Sequence, residues 1–238
     1  MVACGGIGRP GTMAVMIFAA DSLAKVAERL GPDEVHVWLL PLMERGREPL
    51  RQILAAYLHR PPSEVRLIAG PHGRPALAGT LAGAIDFNWS HSAGHALVAL
   101  ARGIAPGIDL ECDRPLRALA LARRYFTADE AAWLARQPEA RQTAAFLDLW
   151  TAKEAVLKAL GRGLGFGLDR LTITCEATGP RLRRLEGDDP DAWQLHALQL
   201  GEGLHATLAW RGGPRRIRGL RPGDRGAAEA SFPDTGHA

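Results

Sequence analysis

Two spacings of apolar residues divide the chain into short segments. In some segments apolar residues alternate with polar ones or form short unbroken runs, which is typical of strands, and in others they recur at intervals of three and four, which is typical of helices. The first pattern predicts strands over residues 35–40, 65–69, 85–89, 95–101, 107–111, 170–175, 192–198 and 204–210. The second predicts helices over residues 49–59, 116–124 and 139–160. This mixture of strands and helices predicts an α+β fold.

Local signals place the ends of several elements. Pro61 and Pro62 end the helix that precedes them, because proline cannot continue a helix. Residues 127–130 have the sequence of a capping box, with Thr127 and Glu130 at its two ends, and predict the start of a helix. Gly161 is expected to close the long helix over residues 139–160.

The pattern of elements restarts after Gly103 and Pro106, which suggests a boundary there. We expect an N-terminal half over residues 1–105, with a loose Gly-rich segment at 1–12, and a C-terminal half over residues 106–212. Residues 213–238 are predicted to be a flexible tail, because their arginines are interleaved with Gly and Pro.

The composition is that of a soluble protein with a sizeable core. At 238 residues and 47% hydrophobic content, the chain can bury one large core or two smaller ones. No apolar run approaches the roughly 20 residues of a membrane span. The apolar residues 13–20 are followed at once by Asp21, so we expect neither a membrane association nor a signal peptide.

Charge and cysteine content narrow the partners and the compartment. The formal net charge of +3 is too small for a dedicated nucleic-acid binder, so we expect no nucleic-acid partner. Cys4, Cys112 and Cys175 are odd in number and lack metal-type spacing, which indicates reduced thiols. We therefore expect a cytoplasmic protein. We also expect the chain to be a monomer.

One predicted helix carries a polar stripe within residues 150–158. Residues four apart share a helix face, so Trp150, Glu154 and Lys158 place an aromatic ring, a carboxylate and an ammonium group in one row. Such a row suits phosphate chemistry, because a carboxylate can ligate a metal and an ammonium group can bind a phosphate. The alternative is a solvated helix face with one Glu-to-Lys pair, which the segment taken alone favours.

Residues 107–111 form a predicted strand with two carboxylates on one face. Because side chains alternate along a strand, Asp109 and Glu111 lie on one side while Ile108 and Leu110 point into the core. Two unpaired carboxylates repel each other, and a hard cation such as Mg²⁺ relieves the repulsion. Glu154 would complete a site of three carboxylates. The alternative is a surface strand whose acidic edge discourages aggregation.

Residues 87–92 predict a polar corner that leads into the apolar strand over residues 95–101. Ser90, His91 and Ser92 offer hydroxyl and imidazole groups that suit phosphate oxygens. The alternative is that His91 is an ordinary hydrogen-bonded turn residue. A Ser-His-Asp triad is conceivable but unsupported by the sequence, because such triads are recognised by their geometry.

Together these three segments resemble motifs of the surfactin-type (Sfp-type) 4′-phosphopantetheinyl transferases. Residues 87–92 resemble the family's F-N-x-S-H-S block, residues 107–111 its G-[IV]-D-x-E block and residues 150–158 its W-x-x-K-E-A-x-x-K block, in the same order. Lesser matches support them: residues 73–75 resemble G-K-P, residues 124–130 R-F-F-x-x-x-E and residues 161–164 G-x-G-L. The resemblance covers about residues 35–210.

The resemblance implies both a fold and a reaction. The family fold has two similar α+β halves packed as a pseudo-dimer, with the ligand in the cleft between them. The reaction transfers 4′-phosphopantetheine from coenzyme A to a serine of an apo acyl or peptidyl carrier protein and releases adenosine 3′,5′-bisphosphate. Mg²⁺ is the implied cofactor, and the implied partner is an acidic carrier protein, which suits a mildly basic chain.

The resemblance also implies roles for individual residues. Asp109, Glu111 and Glu154 would hold Mg²⁺ against the pyrophosphate, and Glu154, or a water beside it, would be the general base. Lys158 would neutralise the leaving bisphosphate. The implied contacts with coenzyme A are Ser90, His91 and Lys153 at the phosphates, and Arg74 and Pro75 beside the adenine. Lys153 would alternatively help to orient the helix, and Trp150 would wedge the long helix against the core.

The chain departs from the family in one segment. Family members carry a longer basic and aromatic segment after the first strand, and here residues 42–50 are short. Arg45, Arg47 and Arg51 are candidates for anchoring the 3′-phosphate of coenzyme A, but no motif assigns them. Two alternatives to the transferase are a degenerate relative that binds coenzyme A or a carrier protein without catalysis, and a Mg²⁺-dependent nucleotide hydrolase. The sequence contains no P-loop motif to support the hydrolase.

Overall fold

The structure is a computed structural model that describes residues 17–19, 23–41, 46–70 and 73–221. Its strands are β1 Ile17–Ala19, β2 Glu34–Pro41, β3 Leu67–Ala69, β4 Pro75–Leu77, β5 Asp86–Ser92, β6 His95–Ala101, β7 Gly107–Cys112, β8 Leu171–Glu176, β9 Gly179–Leu185, β10 Trp193–Ala197, β11 Leu204–Arg211 and β12 Arg216–Arg221. Its helices are α1 Leu23–Glu28, α2 Glu48–Leu58, α3 Ala118–Tyr125, α4 Ala128–Ala135 and α5 Glu139–Ala159. The chain is therefore an α+β protein, as the sequence predicted.

The N-terminal half is built on a sheet with the strand order β1-β12-β2-β6-β5. Helix α2 packs against this sheet through Leu50, Ile53, Leu54 and Tyr57, which recur at helical spacing and are all buried. Spacing of this kind places the four side chains on one face of the helix, which is the amphipathic pattern that predicted it.

The C-terminal half is built on a sheet with the order β10-β11-β7, covered by α5. From Phe146 onward most residues of α5 are buried, including Leu149, Val156 and Leu157. A helix that is apolar on nearly all sides is a core helix. Helices α3 and α4 and the β8-β9 hairpin pack around it.

The two halves repeat one topology when the β3-β4 and β8-β9 hairpins and helices α3 and α4 are set aside. In the N-terminal half the order along the chain is β2, α2, β5, β6, and β6 pairs antiparallel with both β2 and β5. In the C-terminal half the order is β7, α5, β10, β11, and β11 pairs antiparallel with both β7 and β10. The repeat gives the two similar halves that the resemblance implied.

Three buried apolar clusters are formed by the described residues. One belongs to the N-terminal half around α2, and one to the C-terminal half around α5. The third is shared, because Val37 and Leu97 of the first sheet pack with Ile108 and Leu208 of the second. This shared cluster fixes the two halves against each other and brings β5 beside β7.

The end of the described chain differs from the prediction. Residues 216–221 form β12, which lies between β1 and β2 in parallel pairing, so the expected flexible tail is wrong for this stretch. Arg216 and Arg218 reach the buried Glu34 at 3.3 and 2.9 Å, and Leu220 is buried. The sequence assigned Arg216 and Arg218 to a flexible tail, but both pair with the buried carboxylate of Glu34. The predicted loose segment 1–12 and the tail residues 222–238 lie outside the described residues.

Local signals for helix ends are confirmed. Thr127 and Glu130 form the capping box at the start of α4. Gly161 has φ of 68°, its N–H donates to the Lys158 carbonyl, and the Arg162 N–H donates to the Leu157 carbonyl. That pair of bonds is the Schellman ending of a helix. No helix in the described ranges is long and apolar enough to cross a membrane.

Candidate active site between the two halves

Helix α5 lies directly against the backbone of β7 at Gly107. A Cβ atom on Gly107 would lie 2.0 Å from the Ala155 carbonyl oxygen and 2.4 Å from the Ala159 nitrogen. Only glycine leaves room for this approach. The close packing brings Glu154 and Lys158, on the last turns of α5, to the carboxylates of β7.

Strand β5 covers the edge of β7 that does not face β11. Asn88 accepts a hydrogen bond from the Ile108 N–H at 2.8 Å, and the Ser90 hydroxyl accepts one from the Leu110 N–H at 3.3 Å. Alternating residues of β5 therefore satisfy alternating N–H groups of β7. This arrangement explains why the motif places polar side chains at every second position.

Lys158 joins the three motif segments. Its Nζ donates to Asp109 Oδ1 at 2.6 Å, to Ser90 Oγ at 3.1 Å and to the Ile108 carbonyl at 3.1 Å. The Ser90 hydroxyl also donates to Asp109 Oδ1 at 2.8 Å. One oxygen of Asp109 is thus well bound, whereas its Oδ2 is buried without a hydrogen-bond partner.

Glu154 is a second carboxylate with an unpartnered oxygen. Its Oε1 is buried and makes no hydrogen bond. Burial raises the pKa of Glu154 to about 7, and the negative charges of Asp109 and Glu111 act in the same direction. The positive charge of Lys158 opposes the shift. A buried carboxylate without partners is costly, and an oxygen-seeking cation would supply what both Asp109 and Glu154 lack.

Glu111 is placed differently from the other two carboxylates. Its Oε2 accepts from Arg114 Nη1 at 2.5 Å and from the Ser92 hydroxyl at 3.3 Å. Among the residues that the structure describes, no three His, Cys, Asp or Glu side chains form a group that could hold a metal ion. The predicted set of three is therefore not assembled. Because Mg²⁺ usually takes one or two protein carboxylates, with water and phosphates completing its shell, Asp109 and Glu154 still fit it.

Comparison with known proteins gives consistent matches. The model of the 4′-phosphopantetheinyl transferase superfamily matches residues 105–209. A putative 4′-phosphopantetheinyl transferase of Synechocystis is 36% identical over 65% of this chain and 63% of that protein, and the transferase psf-1 of Bacillus pumilus is 39% identical over 47% and 48%. The transferase HetI of Nostoc is 38% identical over 70% of this chain and 69% of that protein. The chain belongs to the 4′-phosphopantetheinyl transferase superfamily. It spans from about half to about seven-tenths of the length of these relatives.

Lys153 does not line the site. Its side chain is fully buried, pairs with Glu130 at 2.7 Å, and donates to the carbonyls of Leu168 and Leu171 at 2.8 and 2.6 Å. The prediction that it contacts a phosphate disagrees with this placement. The reason is helical geometry, because successive residues point about 100° apart, so Lys153 enters the core while Glu154 faces β7. The other expectation, that Lys153 orients the helix, agrees with its contacts.

Arg74 and Pro75 are also placed differently from the expectation of an adenine contact. The Arg74 guanidinium donates hydrogen bonds to three backbone carbonyls. Pro75 is buried at the start of β4. Arg74 thus binds backbone carbonyls and Pro75 packs in the interior.

His91 is exposed and lies apart from Ser90. Neighbouring residues of a strand point to opposite faces, so Ser90 faces β7 and Lys158 while His91 faces outward beside the Trp89 ring. The structure thus brings Ser90, Asp109, Glu154 and Lys158 together, and leaves His91 at the rim. Trp150 packs on Phe126 and Phe146, as its expected role in wedging the long helix required.

The sequence patterns do not predict a second polar cluster, which surrounds His205. His205 on β11 bonds to Asp148 of α5 at 2.7 Å and to Asp113 at 3.0 Å. Burial alone would lower the pKa of His205, but its bonds to the two carboxylates outweigh burial and raise the pKa. The three residues are distant in sequence, so no local pattern could have predicted their meeting.

Proposed function

We propose that the chain catalyses Mg²⁺-dependent transfer of 4′-phosphopantetheine from coenzyme A to a serine of an apo acyl or peptidyl carrier protein. The serine oxygen forms a bond to the phosphorus that carries the pantetheine arm. The bond from that phosphorus to the bridging oxygen breaks, and adenosine 3′,5′-bisphosphate leaves with the electron pair. The observation that carries the proposal is the cluster of Lys158, Asp109 and Glu154, with two buried carboxylate oxygens unpartnered.

Asp109 and Glu154 are the residues that would hold Mg²⁺. When bound, the ion would stabilise the negative charge that develops on the phosphoryl oxygens. The fit is supported by the donor set, since both groups are hard oxygen ligands and both have an oxygen with no other partner. Glu111 is ion-paired with Arg114 through Oε2, so its expected role as a third ligand requires its side chain to move toward Asp109 and Glu154.

Glu154 is the proposed general base for the serine hydroxyl. A carboxylate whose pKa lies near the working pH accepts a proton more effectively than one at its ordinary value. The pKa of Glu154 is raised to about 7 in the metal-free site, and a bound cation would lower it again, so the proposed role rests on the position of the side chain. Its position on α5, next to the carboxylates of β7, supports this role.

Lys158 and Ser90 are the proposed groups for the pyrophosphate. Lys158 carries a positive charge on the last turn of α5 and is partly exposed, so its ammonium group can exchange a protein acceptor for a phosphate oxygen. Ser90 donates to Asp109 and accepts from Leu110, which holds its hydroxyl beside that ammonium group. Neutralisation of the departing bisphosphate by Lys158 lowers the barrier for the bond that breaks.

All of these residues come from one chain, which supports a monomer as the active unit. The mild positive charge of the chain, +3, suits an acidic carrier protein. Cys112 is a free thiol, which supports a reducing compartment such as the cytoplasm.

Mass spectrometry of the carrier protein tests the function. The purified chain is incubated with Mg²⁺, coenzyme A and an apo carrier protein, with a carrier whose acceptor serine is replaced by alanine as the control. The proposal expects one phosphopantetheine to be added to the serine carrier and none to the control. Bound coenzyme A without product would indicate a degenerate relative, and bisphosphate release without carrier loading would indicate a hydrolase.

A further inference from the structure

Arg74 contacts all three segments that build the site. Its Nη1 donates to the Lys158 carbonyl at 2.5 Å, and its Nη2 donates to the carbonyls of Phe87 at 2.8 Å and Pro106 at 3.2 Å. Phe87 lies on β5, Pro106 directly precedes β7, and Lys158 lies in the last turn of α5. One guanidinium group therefore holds the backbone of three elements that are distant in sequence.

The acceptors stand in a regular relation to the site residues. Phe87 precedes Ser90 by three residues, and Pro106 precedes Asp109 by three residues. The third acceptor is the carbonyl of Lys158 itself, whose ammonium group contacts both Ser90 and Asp109. Arg74 thus fixes the backbone from which each contact of Lys158 is made.

We propose that Arg74 is a positioning residue that sets the distance of Lys158 from Ser90 and Asp109. The inference rests on the proposed transferase function of this same site. It replaces the expectation that Arg74 contacts the adenine of coenzyme A.

The chemistry of the side chain explains why an arginine suits this place. A planar guanidinium presents several N–H donors in a fixed fork, whereas a lysine ammonium group is a compact point charge on a flexible stem. A cation is also favourable beside carbonyls at the C-terminal end of a helix. The Lys158 carbonyl already accepts from the Gly161 N–H at 3.1 Å, so Arg74 adds a second, charged donor to the end of α5.

Steady-state kinetics separates positioning from ligand contact. In Arg74→Lys and Arg74→Ala, we expect kcat to fall by roughly tenfold and a hundredfold, because displacement of a catalytic group by about 1 Å costs up to a hundredfold. The KM for coenzyme A should change much less than kcat, because the charge that Lys158 neutralises is largest in the transition state, although Lys158 also contacts the pyrophosphate of the bound donor. The matched control is Arg211→Lys, because Arg211 lies on β11 and pairs with Asp188 away from the site. This variant should keep the wild-type kcat and KM. A loss confined to the KM for coenzyme A would overturn the proposal in favour of a ligand contact.

A double variant tests the connection to Lys158. In a Lys158→Ala background, followed by single-turnover carrier loading, Arg74→Ala should reduce the rate by less than about threefold, because the group that it positions is already gone. An additive loss of the full hundredfold would show that Arg74 acts independently of Lys158.

Amide hydrogen exchange gives a readout that does not depend on transfer. In Arg74→Lys, which retains the charge, exchange should increase at residues 86–90 and 156–162 and stay unchanged in α2 and β12. Unchanged exchange at all these places would contradict the positioning role, whether or not the wild-type chain loads a carrier. Failure of the wild-type chain to load any carrier would instead contradict the proposed function.

Discussion

Two lysines on α5, five residues apart, have opposite environments. Lys153 is fully buried, with Glu130 and two carbonyls as its partners. Lys158 is partly exposed and bonds to Asp109, whose second oxygen has no partner. The first pair is saturated and stabilises the C-terminal half, whereas the second retains capacity for a ligand. This difference separates a structural lysine from the one proposed to act on the phosphates.

Replacing Lys153 tests its structural role. In Lys153→Met, Glu130 would remain buried without its cation, which costs about 3–5 kcal/mol in the free energy of unfolding. Urea denaturation measures this loss, and adding Glu130→Gln should recover part of it. Calorimetry of the folded variant should show unchanged affinity for coenzyme A. An affinity loss of more than about tenfold would restore the phosphate contact predicted from the sequence.

His36 makes the stability of the folded chain depend on pH in the acid range. The side chain is fully buried, its Nδ1 contacts the Tyr57 hydroxyl at 2.6 Å, and burial lowers the pKa of His36 to about 4 although Glu34 opposes this. Between that value and the unfolded value of about 6.5, the unfolded chain binds a proton that the folded chain excludes. Stability is therefore complete above pH 6.5 and declines as the pH falls to 4, by about 3 kcal/mol from this group.

Denaturation curves of His36→Asn measure that contribution. The variant keeps an acceptor for Tyr57 but no titrating ring, so its stability relative to the wild type should increase steadily from pH 6.5 to pH 4. His59→Asn, at an exposed histidine, is the control and should show no such trend. A difference between His36→Asn and the wild type that is independent of pH would show that His36 is protonated in the folded chain.

At the scale of elements, the approach of α5 to β7 decides the geometry of the site. The close contact at Gly107 leaves no room for a side chain, and it aligns Glu154 and Lys158 with Asp109. The sequence predicted both elements and the alternation that places Asp109, because periodicity is a local property. It could not predict that Lys153 enters the core or that Arg74 binds three carbonyls, because those contacts depend on how distant segments meet. Strand β12 was missed for the same reason, since Glu34, its charged partner, is remote in sequence.

Gly107→Ala tests the contact directly. The new methyl group would overlap the backbone of α5, so the helix must shift, at a cost of about 3 kcal/mol and with loss of most carrier loading. Gly165→Ala is a matched control, because no atom lies within 4 Å of the added carbon. Thermal unfolding and loading assays of both variants measure the difference. Normal loading by Gly107→Ala would show that the spacing of α5 and β7 does not set the site.

At the scale of the whole molecule, two halves of one topology share a core and hold the site between them. The first sheet is completed by β12, which follows the entire C-terminal half in the chain. The halves are therefore joined both by the shared cluster and by this return of the chain. The site residues come from both sides of the junction, so its geometry depends on the two halves remaining docked.

Truncation tests the importance of the returning strand. A chain that ends at residue 212 lacks β12 and leaves the buried Glu34 without Arg216 and Arg218. We expect it to be less stable by at least about 3 kcal/mol than a chain that ends at residue 221, the appropriate comparison. Equal melting temperatures for the two truncated chains would mean that β12 contributes nothing to the sheet.

The rate of carrier loading by Glu154→Gln, compared with the wild type at saturating Mg²⁺ and coenzyme A, tests the central claim most directly. Glutamine keeps the shape of the side chain but neither binds the cation as a carboxylate nor accepts the serine proton. We expect the rate to fall at least about a hundredfold, or roughly 3 kcal/mol, with the melting temperature preserved. Glu139→Gln, at an exposed position in the first turn of the same helix, should load normally. Near-wild-type loading by Glu154→Gln would contradict the proposed site.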